Sequence, residues 1–113
     1  MARERGLPLD QARSLEALLS LLADSVRTRV LVALVETEEM CVGDIAMALD
    51  VTEDSTSYAL RMLRTAGLVE RRAAGRMGYY RIRRGAVGEA VVEAVNCLRG
   101  LADQHPERNG DDP

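Results

Sequence analysis

The stretch CVGDIAMALDVTEDSTSYALRMLRTAG, residues 41–67, contains two short helical patterns separated by a brief polar link. The first pattern covers residues 41–49 and the second covers residues 53–65. The link is predicted to be a turn whose last residue, Thr52, caps the second helix with its hydroxyl group. Gly67 is predicted to end that helix, because glycine tolerates the left-handed conformation that often follows a last helical turn. The stretch therefore predicts a helix-turn-helix.

The period changes from helical to extended directly after this stretch. Residues 68–72 and residues 77–83 are predicted to be two strands, and residues 73–76 are predicted to connect them with Gly75 at the tip. Such a hairpin behind a helix-turn-helix is typical of a wing.

Three further helices are predicted around this unit from apolar residues at three- and four-residue spacing. They cover residues 9–22 with Leu15, Leu18, Leu19 and Leu22, residues 25–35 with Val30, Leu31 and Leu34, and residues 86–101 with Val87, Val91, Val95 and Leu98. The fold class is thus mainly α with a small β-hairpin, a winged helix-turn-helix in one domain at residues 9–102. Residues 1–8 and 103–113 are expected to be flexible ends.

All 15 basic residues of this 113-residue chain are arginines, and eight of them lie in the basic segment, residues 61–84. Glu70 is the only acid there, although the whole chain has a formal net charge of -3. One positive segment in an acidic protein confines affinity for polyanions to one surface, and arginine suits both phosphates and guanine edges. Because the segment coincides with the helix-turn-helix and the wing, it favours DNA binding over a merely solvated charged face.

Several classes of function are disfavoured by composition. No apolar run reaches transmembrane length, and the first residues lack an apolar signal core, so a cytoplasmic protein without membrane contact is expected. Cys41 and Cys97 are then expected to be thiols. A single histidine, with no Ser-His-Asp spacing and no glycine-rich phosphate loop, argues against an enzyme.

Three segments taken together resemble the ArsR/SmtB transcriptional repressors of bacteria. They are LLADSVRTRVLVAL at residues 21–34, EEMCVGDIAMALDVTEDSTSYALRMLRTAGLVERR at residues 38–72, and GRMGYYRI at residues 75–82. The resemblance implies a homodimeric winged-helix repressor, many relatives of which release DNA when they bind a metal. The chain departs from the family where Glu53-Asp54 replaces a frequent Gln-Pro pair and Ala59 replaces a common histidine.

DNA contacts are assigned by position in the predicted fold. The first turns of the second helix of the motif are expected to enter the major groove and contact base edges; they carry Ser55, Thr56, Ser57 and Tyr58. Arg61 and Arg64 are expected to hold the backbone, and Arg72 and Arg76 on the wing are expected to contact phosphates or the minor groove. Arg81, Arg83 and Arg84 are equally compatible with a contact to DNA and with solvation.

The resemblance also implies where an effector would bind, and neither family metal site is complete here. At the start of the third helix only Cys41 is kept of two cysteines, and the last-helix positions align with Arg84, Ala86, Cys97 and Gly100. A different set of donors is predicted near the end of the last helix, consisting of Glu93, Cys97, Asp103 and His105. These donors favour nickel, then zinc or cobalt, over cadmium or lead.

Purely structural roles for the same residues remain open alternatives. Cys41 would serve equally as a small helix-capping residue, Cys97 as a core filler and His105 as an exposed residue of the tail. A thiol-based redox sensor that uses Cys41 and Cys97 is the alternative to metal control, and a regulator without an effector, or bound by a partner protein, is another.

A homodimer is expected because a chain this short would leave the apolar stripe of its first or last helix in water. The predicted interface consists of Leu15, Leu18, Leu22, Val91, Ala94, Val95 and Leu98. Two copies would bind an imperfect palindrome in double-stranded DNA.

Overall fold

A computed structural model describes residues 6–104, and it confirms the predicted winged helix-turn-helix. The elements in chain order are α1 (Leu9–Leu22), α2 (Ser25–Glu36), β1 (Met40–Cys41), α3 (Val42–Leu49), α4 (Glu53–Thr65), β2 (Val69–Ala74), β3 (Met77–Ile82) and α5 (Ala86–Gln104). Helix α5 includes Asp103 and Gln104, so the predicted boundary of the tail at residue 103 is wrong by two residues. The remaining parts of both predicted flexible ends, residues 1–5 and 105–113, lie outside the described residues.

Side chains fix the beginnings of two helices. The carboxylate of Asp24 accepts a hydrogen bond from the Arg27 amide at 2.9 Å and caps α2, while Arg27 Nε donates to the Leu21 carbonyl at 2.6 Å. Thr52 Oγ1 accepts from the Ser55 amide at 3.0 Å and caps α4, as predicted. Gly67 follows α4 with φ of 82°, which confirms it as the residue that ends the helix.

The sheet has three strands in the order β1-β3-β2, and the sequence analysis missed β1. Met40 and Cys41 pair with Tyr80 and Tyr79, but a two-residue strand is too short to show any alternation. The connection between β2 and β3 is also shorter than predicted, because residues 73 and 74 belong to β2. Gly75 and Arg76 are the two central residues of the turn. The φ of 63° at Gly75 is the positive value that the first central position of a type II′ turn requires.

The core lies where α2, α3 and α4 meet the base of the hairpin. Its buried side chains are Val30, Leu31, Leu34, Ile45, Ala59, Leu60, Leu63, Leu68 and Val69. The inward face predicted for the second helix is therefore confirmed, and this core fixes α4 and the hairpin relative to each other. None of the helices within residues 6–104 is both long and apolar enough to cross a membrane.

Candidate nucleic-acid interface

Helix α4 presents one buried face and one exposed face. Thr56, Ala59, Leu60 and Leu63 are buried against the core, so they define the inner side of the helix. Residues 54, 58 and 61 are exposed, and their three- and four-residue spacing places them together on the opposite side. This exposed side is the surface that a recognition helix presents to a DNA groove.

Thr56 belongs to the inner side, so its prediction as a base-reading residue is wrong. Its side chain is 0% exposed, and Thr56 Oγ1 donates to the Thr52 carbonyl at 2.9 Å. The spacing of four residues to Leu60 and seven to Leu63 was the available signal, because those intervals follow one helical face. Ser55, Ser57 and Tyr58 are exposed and keep their place among the proposed contacts.

Arg61 lies beside Tyr58 on the exposed side of α4. Its guanidinium carbon is 5.3 Å from the centre of the Tyr58 ring, within the range of a cation–π contact. Tyr58 is itself 50% exposed. Tyr58 and Arg61 are therefore both exposed and in contact with each other. Arg64 is exposed one turn further along the helix.

Arg72 forms an ion pair with an acid of the same chain on the outer face of the wing. Its guanidinium forms a two-point ion pair with Glu39 and lies 5.0 Å from the centre of the Tyr79 ring. The hydrogen bond from Arg72 holds the pKa of the Glu39 carboxyl below its ordinary value of 4.5. The positive charge of Arg72 is therefore neutralised by Glu39 at neutral pH, so this guanidinium is less available to a phosphate than an unpaired one.

A second acid compensates the base of the wing. Glu70 Oε2 accepts from Arg81 at 3.0 and 3.1 Å, and Glu70 Oε1 accepts from the Arg84 amide at 3.3 Å. These hydrogen bonds, that from Arg81 first, lower the pKa of Glu70 from its ordinary 4.5. The positive charge of the basic segment is thus smaller at the outer face and wing base than the sequence suggests.

Arg71 and Arg76 face the other way, into a cleft between the wing and the helix-turn-helix. The cleft has a volume of about 540 Å³, and its polar lining includes Asp44, Glu53, Arg71 and Arg76. Within residues 6–104 no acid lies within ion-pair distance of either arginine. The two guanidinium groups therefore have no ion-pair partner among these residues, in a cleft that reaches α4 at Glu53.

Arg71 was missed as a candidate by the sequence analysis, although Gly78 was a usable signal. The Arg71 side chain crosses the hairpin over Gly78, where an added Cβ would lie 2.4 Å from Arg71 Nε. Only glycine leaves room for the guanidinium at that point of β3. A glycine inside a strand often marks such a close approach.

The three predicted effector residues that the structure describes, Glu93, Cys97 and Asp103, do not converge within one protomer. Glu93 and Cys97 are exposed one helical turn apart on α5, so the prediction of Cys97 as a core filler is wrong. Asp103 lies roughly 15 Å from Glu93 along the helix axis at 1.5 Å per residue. His105 lies outside the described residues, within which no group of three His, Cys, Asp or Glu could hold a metal ion.

Cys41 has surroundings different from those of Cys97. It occupies the N-cap position of α3, as predicted, but its side chain makes no capping hydrogen bond there. The residue is 8% exposed and lines the same cleft as Arg71 and Arg76. The structure thus places the two cysteines in a buried and an exposed site rather than in a common one.

Helices α1 and α5 carry apolar residues that nothing covers in a single chain. Leu15, Leu18 and Leu98 are exposed, and Leu98 is 60% exposed on α5. Leu22, Val91 and Val95 instead pack against the chain's own core. An apolar groove of about 290 Å³ runs between α2 and α5, and its lining includes Leu22, Leu31, Val95 and Leu98.

Comparison with known proteins identifies relatives over most of the chain. Residues 24–71 match a family model described as bacterial regulatory protein, arsR family. A transcriptional repressor SmtB homolog of Synechocystis sp. is 38% identical over 101 residues, which cover 89% of this chain and 70% of that protein. The cadmium resistance transcriptional regulatory protein CadC of Listeria innocua is 34% identical over 70 residues, which cover 62% of this chain and 59% of that protein.

The fold also matches that of a solved DNA-binding domain. A homodimeric winged helix-turn-helix DNA-binding domain from Mycobacterium bovis superposes with a TM-score of 0.70 at 30% identity. The match covers 93% of this chain and 95% of that domain, so it includes α1 and α5 as well as the helix-turn-helix and the wing.

Proposed function

The chain belongs to the arsR family of bacterial regulatory proteins, and we propose that it is a dimeric transcriptional repressor that binds double-stranded DNA. As a member of this family it is a transcriptional regulator and not an enzyme. The observation that carries this proposal is the placement of two arginines, without an ion-pair partner among residues 6–104, in the cleft between the wing and the helix-turn-helix. Arg71 and Arg76 line this cleft, which reaches α4 at Glu53, while Tyr58 and Arg61 project from that helix. Phosphate contacts from the cleft would orient the helix for contacts to bases.

Dimerisation supplies the second recognition helix that an operator requires. Leu15 and Leu18 on α1 and Leu98 on α5 are exposed in one chain, and a second copy is the partner that would cover them. Two α4 helices spaced by about 34 Å would meet successive major grooves on one side of the duplex. The operator would accordingly be an imperfect palindrome.

The test of DNA binding uses arginine variants and the dependence of affinity on salt. Arg64→Ala and Arg76→Ala should each weaken binding to every duplex and reduce the salt slope by about one unit. Arg29→Ala is the matched control, because Arg29 is exposed on α2, outside both the proposed DNA interface and the predicted dimer interface, and its guanidinium donates to the Leu49 carbonyl. Wild-type affinity and slope for both Arg64→Ala and Arg76→Ala would show that the basic segment is a solvated face.

Ser57→Ala provides the complementary test of base contacts. Ser57 is exposed on the side of α4 proposed to face the groove, and a hydroxyl accepts from or donates to base edges. This variant should change the preferred sequence more than the affinity for non-specific DNA. An unchanged preference would remove Ser57 from the interface.

The effector proposed for this repressor is a divalent transition metal, with nickel favoured over zinc and cobalt. Carboxylate, imidazole and one thiolate are the available donors, and such a mixed set suits these ions better than cadmium or lead. Of the described residues in this set, Glu93 and Cys97 lie one helical turn apart and Asp103 lies further along α5, so the proposed site needs His105 and the second subunit's copies to be completed. A metal between the α5 helices would bias the spacing of the two α4 helices.

Calorimetry of the metal-free protein with nickel, zinc and cobalt tests this proposal, with DNA affinity as a second readout. Metal and DNA must change each other's affinity by the same factor, typically about 5- to 150-fold. His105→Ala should weaken nickel binding and leave the DNA affinity of the metal-free protein unchanged. Normal nickel binding by His105→Ala would exclude this site.

A thiol-based repressor is the second candidate, and the position of Cys41 favours it. That thiol lines the cleft that also contains Arg71 and Arg76, so its oxidation would alter the proposed phosphate-binding surface. Peroxide or persulfide treatment should then change DNA affinity in the wild type but not in Cys41→Ser, with Cys97→Ser as the second test. If neither thiol reagents nor metals alter DNA affinity, the regulator works without such an effector or with a protein partner.

A further inference from the structure

Asp54 lies on the exposed side of α4, in the first turn of the helix. It lies one turn before Tyr58 and two turns before Arg61, and all three residues are exposed. The residue directly before it, Glu53, is oriented differently, because its Oε2 lies 3.8 Å from the place of an added Cβ on Gly43 in α3. Of the two acids in the first turn, Asp54 is therefore the one that faces the proposed DNA groove.

The Asp54 carboxylate has no partner among the described residues. None of the ion pairs or hydrogen bonds within residues 6–104 includes it. Arg61, the nearest basic residue on the same side, has its guanidinium over the Tyr58 ring instead. A bare carboxylate that approaches two rows of phosphates weakens binding unless its oxygens accept hydrogen bonds from the DNA.

In the major groove only two base groups can donate such hydrogen bonds, the N4 amino group of cytosine and the N6 amino group of adenine. The adenine amino group lies beside N7, an acceptor that repels a carboxylate, whereas cytosine has a carbon–hydrogen edge in the corresponding place. We propose that Asp54 is a specificity-determining residue that selects a cytosine in each half-site of the operator. This assignment rests on the proposed DNA binding by α4.

Selection from a pool of DNA duplexes with a randomised stretch tests the assignment with three proteins. Wild-type protein should enrich sites with cytosine at one fixed position of each half-site. Asp54→Asn should replace that cytosine by adenine, because asparagine pairs with N6 and N7 of adenine. Glu53→Gln, which removes the same charge one residue away, should keep the cytosine.

A chemical substitution in the selected duplex separates a base contact from a general charge effect. Replacing the selected cytosine by 2-pyrimidinone removes the 4-amino group, and it should weaken wild-type binding by about tenfold or more. The same replacement should change the affinity of Asp54→Ala by less than about twofold, since alanine has no side-chain acceptor for the amino group.

The outcomes distinguish this inference from the function on which it rests. If the wild type enriches no common sequence, the proposed operator binding itself is wrong. If the wild type enriches a defined site and Asp54→Asn enriches the same one, DNA binding stands and Asp54 is not a specificity residue. Equal loss of affinity for the 2-pyrimidinone duplex in the wild type and in Asp54→Ala would also overturn the inference.

Discussion

Glu39 binds the guanidinium group of Arg72, which the proposed DNA interface would otherwise use. The acid lies in the segment between α2 and β1, and its carboxylate engages Arg72 on the outer face of the wing. Tyr79 supports the same guanidinium from below at 5.0 Å. An exposed ion pair of this kind adds little to stability, but it removes one positive charge from the set available to phosphates.

Replacement of Glu39 by glutamine should therefore strengthen DNA binding. Glu39→Gln releases Arg72 while keeping the shape of the side chain, so affinity should rise and the salt slope should steepen by about one unit. Affinity measured between low and physiological salt checks this. Glu38→Gln is the control, because this substitution removes an equal charge and Glu38 does not pair with Arg72. An equal effect of both variants would show that only the net charge matters.

Glu70 gives the wing a dependence on pH. Hydrogen bonds from Arg81 and from the Arg84 amide lower its pKa in the folded protein, so its contribution to stability is complete above the ordinary carboxyl pKa of 4.5. That contribution is lost as the pH falls through the lowered pKa. The melting temperature of the wild type should exceed that of Glu70→Gln by a constant margin from about pH 8 to about pH 5.

The margin should then shrink below about pH 4.5 and disappear once Glu70 is protonated in both the folded and the unfolded wild type. Circular dichroism melting curves at a series of pH values measure it directly. A margin that grows on acidification would contradict the assigned direction of the pKa shift.

At the level of elements, helical periodicity predicted every helix, and capping chemistry predicted where α4 begins and ends. The same periodicity would have excluded Thr56 from the DNA-facing side, had the buried positions of α4 been used to set its register. Strand β1 was beyond reach because two residues carry no period. The compensation of Arg72 was also beyond reach, since its partner Glu39 is distant in sequence and meets it only through the fold.

Gly78 in β3 determines where the Arg71 side chain of β2 can lie. An added Cβ would fall 2.4 to 2.7 Å from three atoms of the Arg71 side chain, so the guanidinium would have to leave its place over the strand. Those atoms are at the far end of a flexible side chain, and the backbone itself would not have to move. The hairpin thus uses one glycine to direct an arginine into the cleft.

Gly78→Ala should consequently weaken DNA binding much more than it affects folding. The expected loss of affinity approaches that of Arg71→Ala, while the melting temperature stays within a few degrees of the wild type. A double-mutant cycle between the two sites checks the cause, because the combined variant should bind about as well as Arg71→Ala alone. Additive losses would show that Gly78 acts independently of Arg71.

At the level of the whole molecule, α5 has two apolar surfaces with different partners. Val91 and Val95 pack against the core of their own chain, whereas Leu98 and Leu101 are exposed. In one chain Val91 and Val95 are half-buried against this core, which a single stripe on the helical wheel does not reveal, and their place in the subunit interface stays a prediction. An aspartate at either valine would disturb folding and would not report on dimerisation alone.

Leu98→Asp is the variant that separates dimerisation from folding. A charge at this exposed position costs the single chain little but disrupts an apolar contact between subunits, so the variant should be a folded monomer with strongly reduced operator affinity. Asn96→Asp adds the same charge at an exposed site on the polar side of α5 and should remain dimeric. Sedimentation velocity at micromolar concentration measures the state of association.

Cys97 provides an independent readout of the same interface within each sample. Its thiol is exposed in the single chain, and it lies near Leu98 and Leu101 on α5, so a second subunit on this surface would shield it. The thiol should therefore react slowly with a disulfide reagent in the wild type and in Asn96→Asp, and quickly in Leu98→Asp. Equal, rapid reaction in all three proteins together with a dimeric wild type would place the subunit contact elsewhere, because only coverage of α5 by a partner distinguishes the Cys97 environment among them.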